Sequence, residues 1–526
     1  MTLAAYLERA VRTWPDKTAL VDFASDDSQV TRLSFSELDR RSNAIALGLR
    51  NHGMEFGDVV SVQLPNCWQF MALVLACSKI GAVINPLLPI YREHELEFML
   101  NFCESKLLVV PASYRGRDHA AMVAAMRPGL PHLRDVVVLG DGSPRGFDRA
   151  LCVDDVGSSS TQHPRPQHAD DVALLMYTSG TTGQPKGVMH TSNTLMSTLE
   201  AARRVLTIDD RDVALCAAPI GHMLGLALLG ILPLMAGATT VIMSAWDAPK
   251  ALALARAESV TFGAGATPYL SDILQAVAGG VPWAPTWRLL CCAGAPIPPV
   301  LVERADKELG LTVCSMYGMT EVQAGAVTDF SAGNRYSAVA DGKPPPGMEM
   351  RIVDERGHDV GLRETGRLLV RGCGVFAGYL KHPELNAVDA DGWFDTGDLA
   401  YFVDAEGYVR LNGRSKDILK RGGIGVPVVE VEALIARHPS VAAVAIVGWP
   451  DPRLGERVCA FVSLRPGARL DLVELKAHLE AARLTPQYWP ERLELCDELP
   501  RTASGKVQKF RLQALAREFP PYVETS

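Results

Sequence analysis

Up to about residue 330 the chain alternates short apolar runs with stretches whose apolar residues recur every three to four positions. Asp58-Val59-Val60-Ser61-Val62-Gln63-Leu64 and Leu107-Leu108-Val109-Val110 predict strands, and Leu195, Leu199 and Ala202 fall at helical spacing. This alternation predicts doubly wound α/β layers. From 335 to 412 the strands shorten, with a hairpin signal at Asp404-Ala405-Glu406-Gly407, and a small β-barrel is expected. Residues 417 to 526 read as a compact α+β unit, with a helix near Val429, strands at Val441 to Val447 and Val458 to Leu464, and a helix from Leu472. Gly157 to Ala169, rich in Ser, Pro, His and Gln, reads as a loop or linker. The stretch Met223 to Ser244 has no charge and is long enough to span a bilayer. Gly225, Gly230, Pro233 and Gly237 interrupt it, so a buried helix, a turn and a buried strand at Thr239 to Met243 are expected instead.

Composition narrows the class. At 526 residues the chain exceeds one core and predicts at least two domains. Apolar residues at 48% and charged residues at 21% describe an ordinary soluble protein. A net charge of -8 gives no electrostatic reason to bind nucleic acid or anionic lipid. The eleven cysteines form no Cys-x-x-Cys pair and read as reduced buried thiols. Glu8, Arg9, Arg12 and Asp16 leave the N-terminus without a signal peptide's apolar centre, so a cytoplasmic location is expected.

The chemistry is concentrated in Tyr177-Thr178-Ser179-Gly180-Thr181-Thr182-Gly183-Gln184-Pro185-Lys186-Gly187. Three glycines let the backbone turn tightly and aim its N–H groups at a ligand, hydroxyls add donors, and Lys186 adds a charge. A polyphosphate is the natural occupant. The P-loop is excluded, because Lys186 follows Pro185 and no Ser or Thr follows it to hold magnesium. A dinucleotide turn is excluded by the absence of Gly-x-Gly-x-x-Gly opening a helix. Further blocks follow: Gly294-Ala295-Pro296, Tyr317-Gly318-Met319-Thr320-Glu321, Trp393-Phe394-Asp395-Thr396-Gly397-Asp398, Gly413-Arg414-Ser415-Lys416-Asp417 and Pro500-Arg501-Thr502-Ala503-Ser504-Gly505-Lys506. Together these blocks resemble, in kind and order, the adenylate-forming superfamily of acyl-CoA synthetases, adenylation domains and luciferases. Gly422-Gly423, Pro427-Val428-Val429-Glu430 and Gln508-Lys509-Phe510-Arg511 look closest to cyclohexanecarboxylate and medium-chain acyl-CoA ligases.

The resemblance implies a large ATP- and acyl-binding domain at 1–412 (barrel about 335–412), a hinge at 413–417 centred on Lys416, and a mobile domain at 418–526. It implies two half-reactions: a carboxylate attacks the α-phosphorus of ATP to give an acyl-adenylate, and the thiol of coenzyme A then expels AMP. Thr178, Ser179, Gly180, Thr181, Thr182, Gly183 and Lys186 would cradle phosphate. Gly294, Ala295, Pro296, Tyr317, Gly318, Met319 and Thr320 would border the nucleotide, with Tyr317 against adenine. Asp398, backed by Arg414, would take the ribose hydroxyls, as a carboxylate accepting two charge-assisted hydrogen bonds. Glu321 is the expected Mg2+ ligand, supported by Thr178 and Thr320, because hard cations prefer carboxylate and phosphate oxygen. Lys506 would bridge acid and α-phosphate in the first half. A domain swing would then bring Gly422-Gly423 to the pantetheine tunnel, with Lys420 in a supporting role. His222 would wall the acyl carboxylate. Gly221, Gly225, Gly263, Ala264, Gly265, Ala266, Ala293, Gly294 and Gly318 would line the acyl pocket, and their small size predicts a bulky or alicyclic acid.

One departure stands out. Relatives carry Gly-Gly-Glu-Asn where this chain has Gly422-Gly423-Ile424-Gly425. Gly425 therefore lacks the amide that supports adenylation, and loss of one preorganised donor costs ~10² to 10³ in rate. A weakened first half is expected, with the adenylate supplied by a separate adenylating enzyme as one consequence. Loading of a separate carrier protein and a dead nucleotide site are the competing readings. The resemblance leaves a homodimer open.

Overall fold

The computed structural model describes residues 1–23, 30–140, 151, 167–178, 185–294, 297–414, 419–500, 507 and 509–522, with backbone alone at 413, 414, 429, 430, 433 and 510. Two large sheets build the N-terminal part. The first runs Ala326–Val327, Thr312–Tyr317, Leu289–Ala293, Phe262–Gly265, Val213–Cys216, Thr239–Met243, Thr18–Phe23, Val30–Ser34, parallel except at its two edges. The second runs Gly378–Tyr379, Lys186–Thr191, Val172–Thr178, Val83–Pro86, Val59–Val62, Leu107–Pro111, Asp135–Leu139, and its last five strands are parallel. Helices cover both sheets, as the alternation of patterns requires.

The uncharged stretch after Met223 folds as expected. Leu224–Ile231 and Leu232–Ala236 are buried helical segments, Gly237 turns the chain at φ +75°, and Thr239–Met243 is a central strand. Among the described residues no helix is long and apolar enough to cross a membrane. The described cysteines are unpaired, and all except Cys373 and Cys496 are buried.

Residues 348–414 form a four-stranded antiparallel sheet in the order Met348–Val353, Gly366–Gly372, Phe394–Phe402, Val409–Arg414. The expected hairpin at Asp404–Gly407 joins its last two strands, with Gly407 at φ +85°. No ladder joins its outer strands among the described residues. Ile352, Leu368, Val370, Phe394, Ala400 and Val409 instead close one face by packing on Val188 and Tyr317 of the large sheets.

The small domain is a sheet with two differently occupied faces. Val441–Asp451 and Gly455–Leu464 pair antiparallel, and Arg492–Leu495 adds parallel to the second. Because side chains alternate, Ile446, Val458, Ala460 and Val462 meet a cluster containing Val431, Leu475 and Leu479, with Ile424 packed against it. Ala445, Val447, Cys459 and Phe461 face the other way, toward Leu499, Leu512 and Val507. Lys420–Arg421 and Ile424–Gly425 extend this sheet at its edge and carry the glycine turn between them, and Ile424 and the segments flanking Lys506 thus pack on opposite faces.

Candidate active site

The glycine-rich run does not lead straight from strand to helix. Val172–Thr178 and Lys186–Thr191 are antiparallel, with Lys186 opposite Thr178, so the run closes a hairpin. The helix begins only at Ser192, where Thr191 accepts the N–H of Thr194 at 3.1 Å, and Leu195, Leu199 and Ala202 are buried on it. The second strand also pairs with Gly378–Tyr379, bringing Val188 opposite Tyr379. Lys186 Nζ consequently stands 4.7 Å from the centre of the Tyr379 ring, and the Tyr379 hydroxyl donates to Glu321 Oε1 at 2.8 Å. Half-buried Lys186 and buried Tyr379 and Glu321 form one chain of contacts. Burial first, and the Glu321 charge second, raise the Tyr379 pKa, so the phenol stays protonated and donating.

The turn carrying Thr320 and Glu321 is held from below. His190 Nε2 lies 2.7 Å from the Thr320 carbonyl; a carbonyl only accepts, so this nitrogen carries the proton. Burial lowers the His190 pKa to about 4, which keeps the ring neutral, and Nδ1 then accepts from Gln323 Nε2 at 3.2 Å. The N–H groups of Val322 and Gln323 donate to the Met319 carbonyl. Gly318 admits no other residue, since a Cβ there would stand 1.8 Å from the Gln323 carbonyl oxygen.

Tyr317 ends its strand with the ring buried among the four-stranded sheet's apolar residues. Its hydroxyl donates to Asp398 Oδ2 at 2.8 Å. The residue expected against adenine therefore also orients the carboxylate expected to take the ribose. Asp398 is buried, its own N–H donates to Thr396 Oγ1, and the ladder sets it opposite Arg414.

On the acyl side, Asn66 fixes the loop bearing His222. Its amide nitrogen donates to the carbonyls of Ala218 (2.9 Å) and Met243 (3.1 Å), and its oxygen accepts the Ile220 N–H at 2.7 Å. The His222 ring is solvent-accessible yet enclosed by protein. That enclosure, with the Lys420 charge second, lowers its pKa and leaves it neutral. Lys420 belongs to the small domain and its charge also reaches Asp341, whose carboxyl burial pushes up.

Gly422 and Gly423 form a two-residue hairpin turn between Lys420–Arg421 and Ile424–Gly425. Both have positive φ, +56° and +84°, as the favoured hairpin turn demands. Its tip seats against the large domain: a Cβ on Gly294 would stand 3.5 Å from Gly423 Cα, and one on Gly423 would stand 3.3 Å from Ala266 Cβ. Gly425 pairs with Lys420, and Ile424 packs on the small domain's core.

The pocket glycines require a correction. A Cβ on Gly221 would meet the Leu87 carbonyl oxygen at 2.7 Å, on Gly225 the Pro219 carbonyl oxygen at 2.1 Å, on Gly263 Trp287 at 2.8 Å, and on Gly265 the Tyr269 ring at 2.4 Å. The space beside these residues is filled by neighbours. Their smallness serves close packing, as does that of Gly318 against the Gln323 carbonyl, so the argument from glycine to a bulky acid loses these five positions.

Ser179, Gly180, Thr181, Thr182, Gly183, Ala295, Pro296, Lys416 and Lys506 lie outside the described residues, as does the Arg414 side chain. Tyr379, His190, Asn66 and Asp341 escape sequence reasoning. Each is a lone polar residue in an apolar setting, and only long-range pairing gives it a role.

Magnesium suits this donor set. Glu321 offers a buried carboxylate beside Thr320, and the described residues contain no group of three acidic, His or Cys side chains able to hold a metal alone. A cation there would take its remaining oxygens from phosphate and water, the usual habit of magnesium.

Comparison with known proteins agrees with this geometry. The profile of the AMP-binding enzyme matches residues 7–380, and that of the AMP-binding enzyme C-terminal domain matches residues 430–506. The medium-chain fatty-acid–CoA ligase of Escherichia coli K12 is 33% identical over 97% of this chain and 90% of its own length. The amide bond synthetase McbA from Marinactinospora thermotolerans superimposes with a TM-score of 0.86 at 28% identity, covering 98% of this chain and 99% of that one. A double mutant of the o-succinylbenzoate CoA synthetase from Bacillus subtilis, bound with a product analogue, gives a TM-score of 0.83 at 25% identity, covering 97% and 98%.

Proposed function

The chain belongs to the AMP-binding enzyme family, and from that premise we propose that it is an acid–thiol ligase joining a hydrophobic carboxylic acid to coenzyme A through an acyl-adenylate. In the first half, the acid's carboxylate attacks the α-phosphorus of ATP and pyrophosphate leaves. Lys186 and Lys506 neutralise the charge that develops on the phosphates, the kind of term that dominates such catalysis. Asp398, aimed by Tyr317, holds the ribose. Glu321, fixed by Tyr379, holds Mg2+, which supplies charge neutralisation to the phosphates when bound.

In the second half, the thiol attacks the acyl carbonyl, the carbonyl–phosphate bond breaks, and AMP departs. The observation that carries this reading is the seating of the Gly422-Gly423 turn, through Gly423, between Ala266 and Gly294, with the Lys420 charge felt at His222. A positive charge on the thiol's approach favours the thiolate, which is the attacking species. Neutral His222 does not ion-pair with the acid and can move aside. We take the small domain, 418–526, to be in the thioester-forming pose, turned about a hinge at 413–417. Opposite sheet faces carry Ile424 and the flanks of Lys506, so one rotation exchanges them at the site.

The acid is proposed as hydrophobic because Tyr269 packs on Gly265 and tilts against Trp246, their ring centres 4.1 Å apart, and no basic residue occurs from Phe262 to Tyr269. Transfer to an amine is a second reading, favoured by the likeness to the amide bond synthetase; the same pose would serve either nucleophile. A panel of alicyclic, aromatic and medium-chain acids with ATP, offered CoA or an amine, separates them by product mass. Release of AMP with neither product sinks both.

Ile424-Gly425 gives this function its particular form: adenylation weaker than thioester formation. Ile424→Glu with Gly425→Asn is expected to raise ATP–pyrophosphate exchange about tenfold or more, up to the ~10² to 10³ of one fully regained donor. Position 425 should carry most of that gain. Strong exchange by the unmodified protein, unchanged in the double variant, would mean that the departure is neutral.

A further inference from the structure

Glu95, on the helix Glu93–Phe102, is buried at 4% exposure although it is a carboxylate at the edge of the large domain. What covers it is the small domain. Its Oε2 accepts the N–H of Arg92 at 3.1 Å, which closes the helix's own N-terminus. Its Oε1 accepts the N–H of Thr485 at 2.8 Å, across 390 positions of chain. Burial raises its pKa, and Thr485, through its side chain first and its N–H second, pulls it back together with the N–H groups of Glu95 and Arg92. Around this bond Arg92 approaches Glu480 at 3.6 Å, and Tyr91 is hydrogen-bonded to Tyr488. Elsewhere on the large domain, Arg453 reaches Asp272 at 3.4 Å, and that carboxylate also takes the Trp246 indole N–H at 2.9 Å.

The loop before Glu95 also touches the site. Gln63 Nε2 donates to the carbonyls of Leu88 and Tyr91, and the Leu87 carbonyl packs on Gly221, next to His222. The surface that receives Thr485 is therefore continuous with the loop that carries His222.

We propose that Glu95 is a pose-selecting positioning residue, whose carboxylate holds the small domain in the thioester-forming pose through the Thr485 N–H. The inference rests on the two-pose reading above. A swing of the small domain removes the donor and returns that oxygen to water, so the bond favours one pose and contributes nothing to the other. An interaction made in only one of two states shifts their populations by its own strength. Glu95 touches no substrate; it acts through where it puts Gly422-Gly423 and Lys420.

Thr485 offers a clean test from the other side. Its φ of -56° lies in proline's range, so Thr485→Pro removes the N–H, and the hydroxyl with it, at a φ that proline already adopts, and Thr485→Val, which keeps the N–H, isolates the hydroxyl's share. Glu95→Gln keeps the side chain's shape and an acceptor for Arg92. Glu95→Gln and Thr485→Pro should each slow single-turnover thioester formation from synthetic acyl-adenylate and CoA by about tenfold, the loss of one charge-assisted hydrogen bond. Pyrophosphate exchange should hold or rise, because the adenylating pose gains population. The double variant should be no slower than either single, since both remove the same bond. Arg453→Ala, at the second contact, should move the two halves in the same opposed sense by a few-fold, on the scale of an exposed ion pair. A parallel fall of both half-reactions, or losses that multiply in the double variant, overturns the latch. Absence of both halves in the unmodified protein across the acid panel overturns the ligase reading itself, and the latch with it.

Discussion

Lys506→Ala is expected to cut ATP–pyrophosphate exchange by about a thousandfold while leaving thioester formation from supplied adenylate within about twofold. The asymmetry follows from the small domain's architecture. Leu499 and Val507, on either side of this lysine's segment, pack on the face of the sheet that holds Ala445, Val447 and Phe461. Ile424, next to the glycine turn, packs on the other face. In the proposed thioester-forming pose, with the turn seated at Gly294, Lys506 has no part in thiol attack. Equal slowing of the two halves would show that Lys506 acts in both, and the exchange of faces would lose its purpose.

The second large effect belongs to Asp398. Each charge-assisted hydrogen bond to ribose contributes ~1.5 to 3 kcal/mol, so Asp398→Ala, which removes two, should weaken ATP and acyl-adenylate binding by about a hundredfold or more. The substitution also removes the carboxylate to which the buried Tyr317 hydroxyl donates at 2.8 Å, at a stability cost of about 1 to 3 kcal/mol. Asp398→Asn separates the two consequences, because an amide oxygen still accepts from Tyr317 but carries no charge for the ribose. Calorimetric titration with ATP reads the first effect and thermal unfolding the second. Unaltered nucleotide affinity in the alanine variant removes Asp398 from the site.

The local signals in the sequence carried far. Period-two and period-3.6 patterns located the strands Val59–Val62 and Leu107–Pro111 and the helix Ser192–Val205, because burial imposes those periods whatever the tertiary partner. Gly422-Gly423 entered only through the family resemblance; the hairpin turn is a finding of the structure, where both residues adopt the positive φ that glycine reaches at little cost. What was hidden depends on pairing across long separations. Tyr379 reaches Glu321 because its two-residue strand pairs with the strand of Lys186, about 190 positions earlier, and no local pattern marks such a strand. The pocket glycines misled because two physical causes select the same residue. Gly221 and Gly225 are small so that the Leu87 and Pro219 carbonyls can approach, and sequence alone cannot separate a close approach from an empty pocket. The seating of the small domain was equally hidden, since the contacts of Gly423 with Gly294 and of Glu95 with Thr485 join residues more than a hundred positions apart.

The central claim is that the described arrangement is the thioester-forming one, and that this chain is better built for the second half-reaction than for the first. A single-turnover experiment tests it most directly: unmodified protein is mixed with a synthetic hydrophobic acyl-adenylate and CoA, and its acyl-CoA production is compared with pyrophosphate exchange on the matching acid. The account predicts rapid acyl-CoA formation and exchange slower by about tenfold or more, up to the ~10² to 10³ of the donor missing at Gly425. Brisk exchange with no acyl-CoA formed from any adenylate would contradict it.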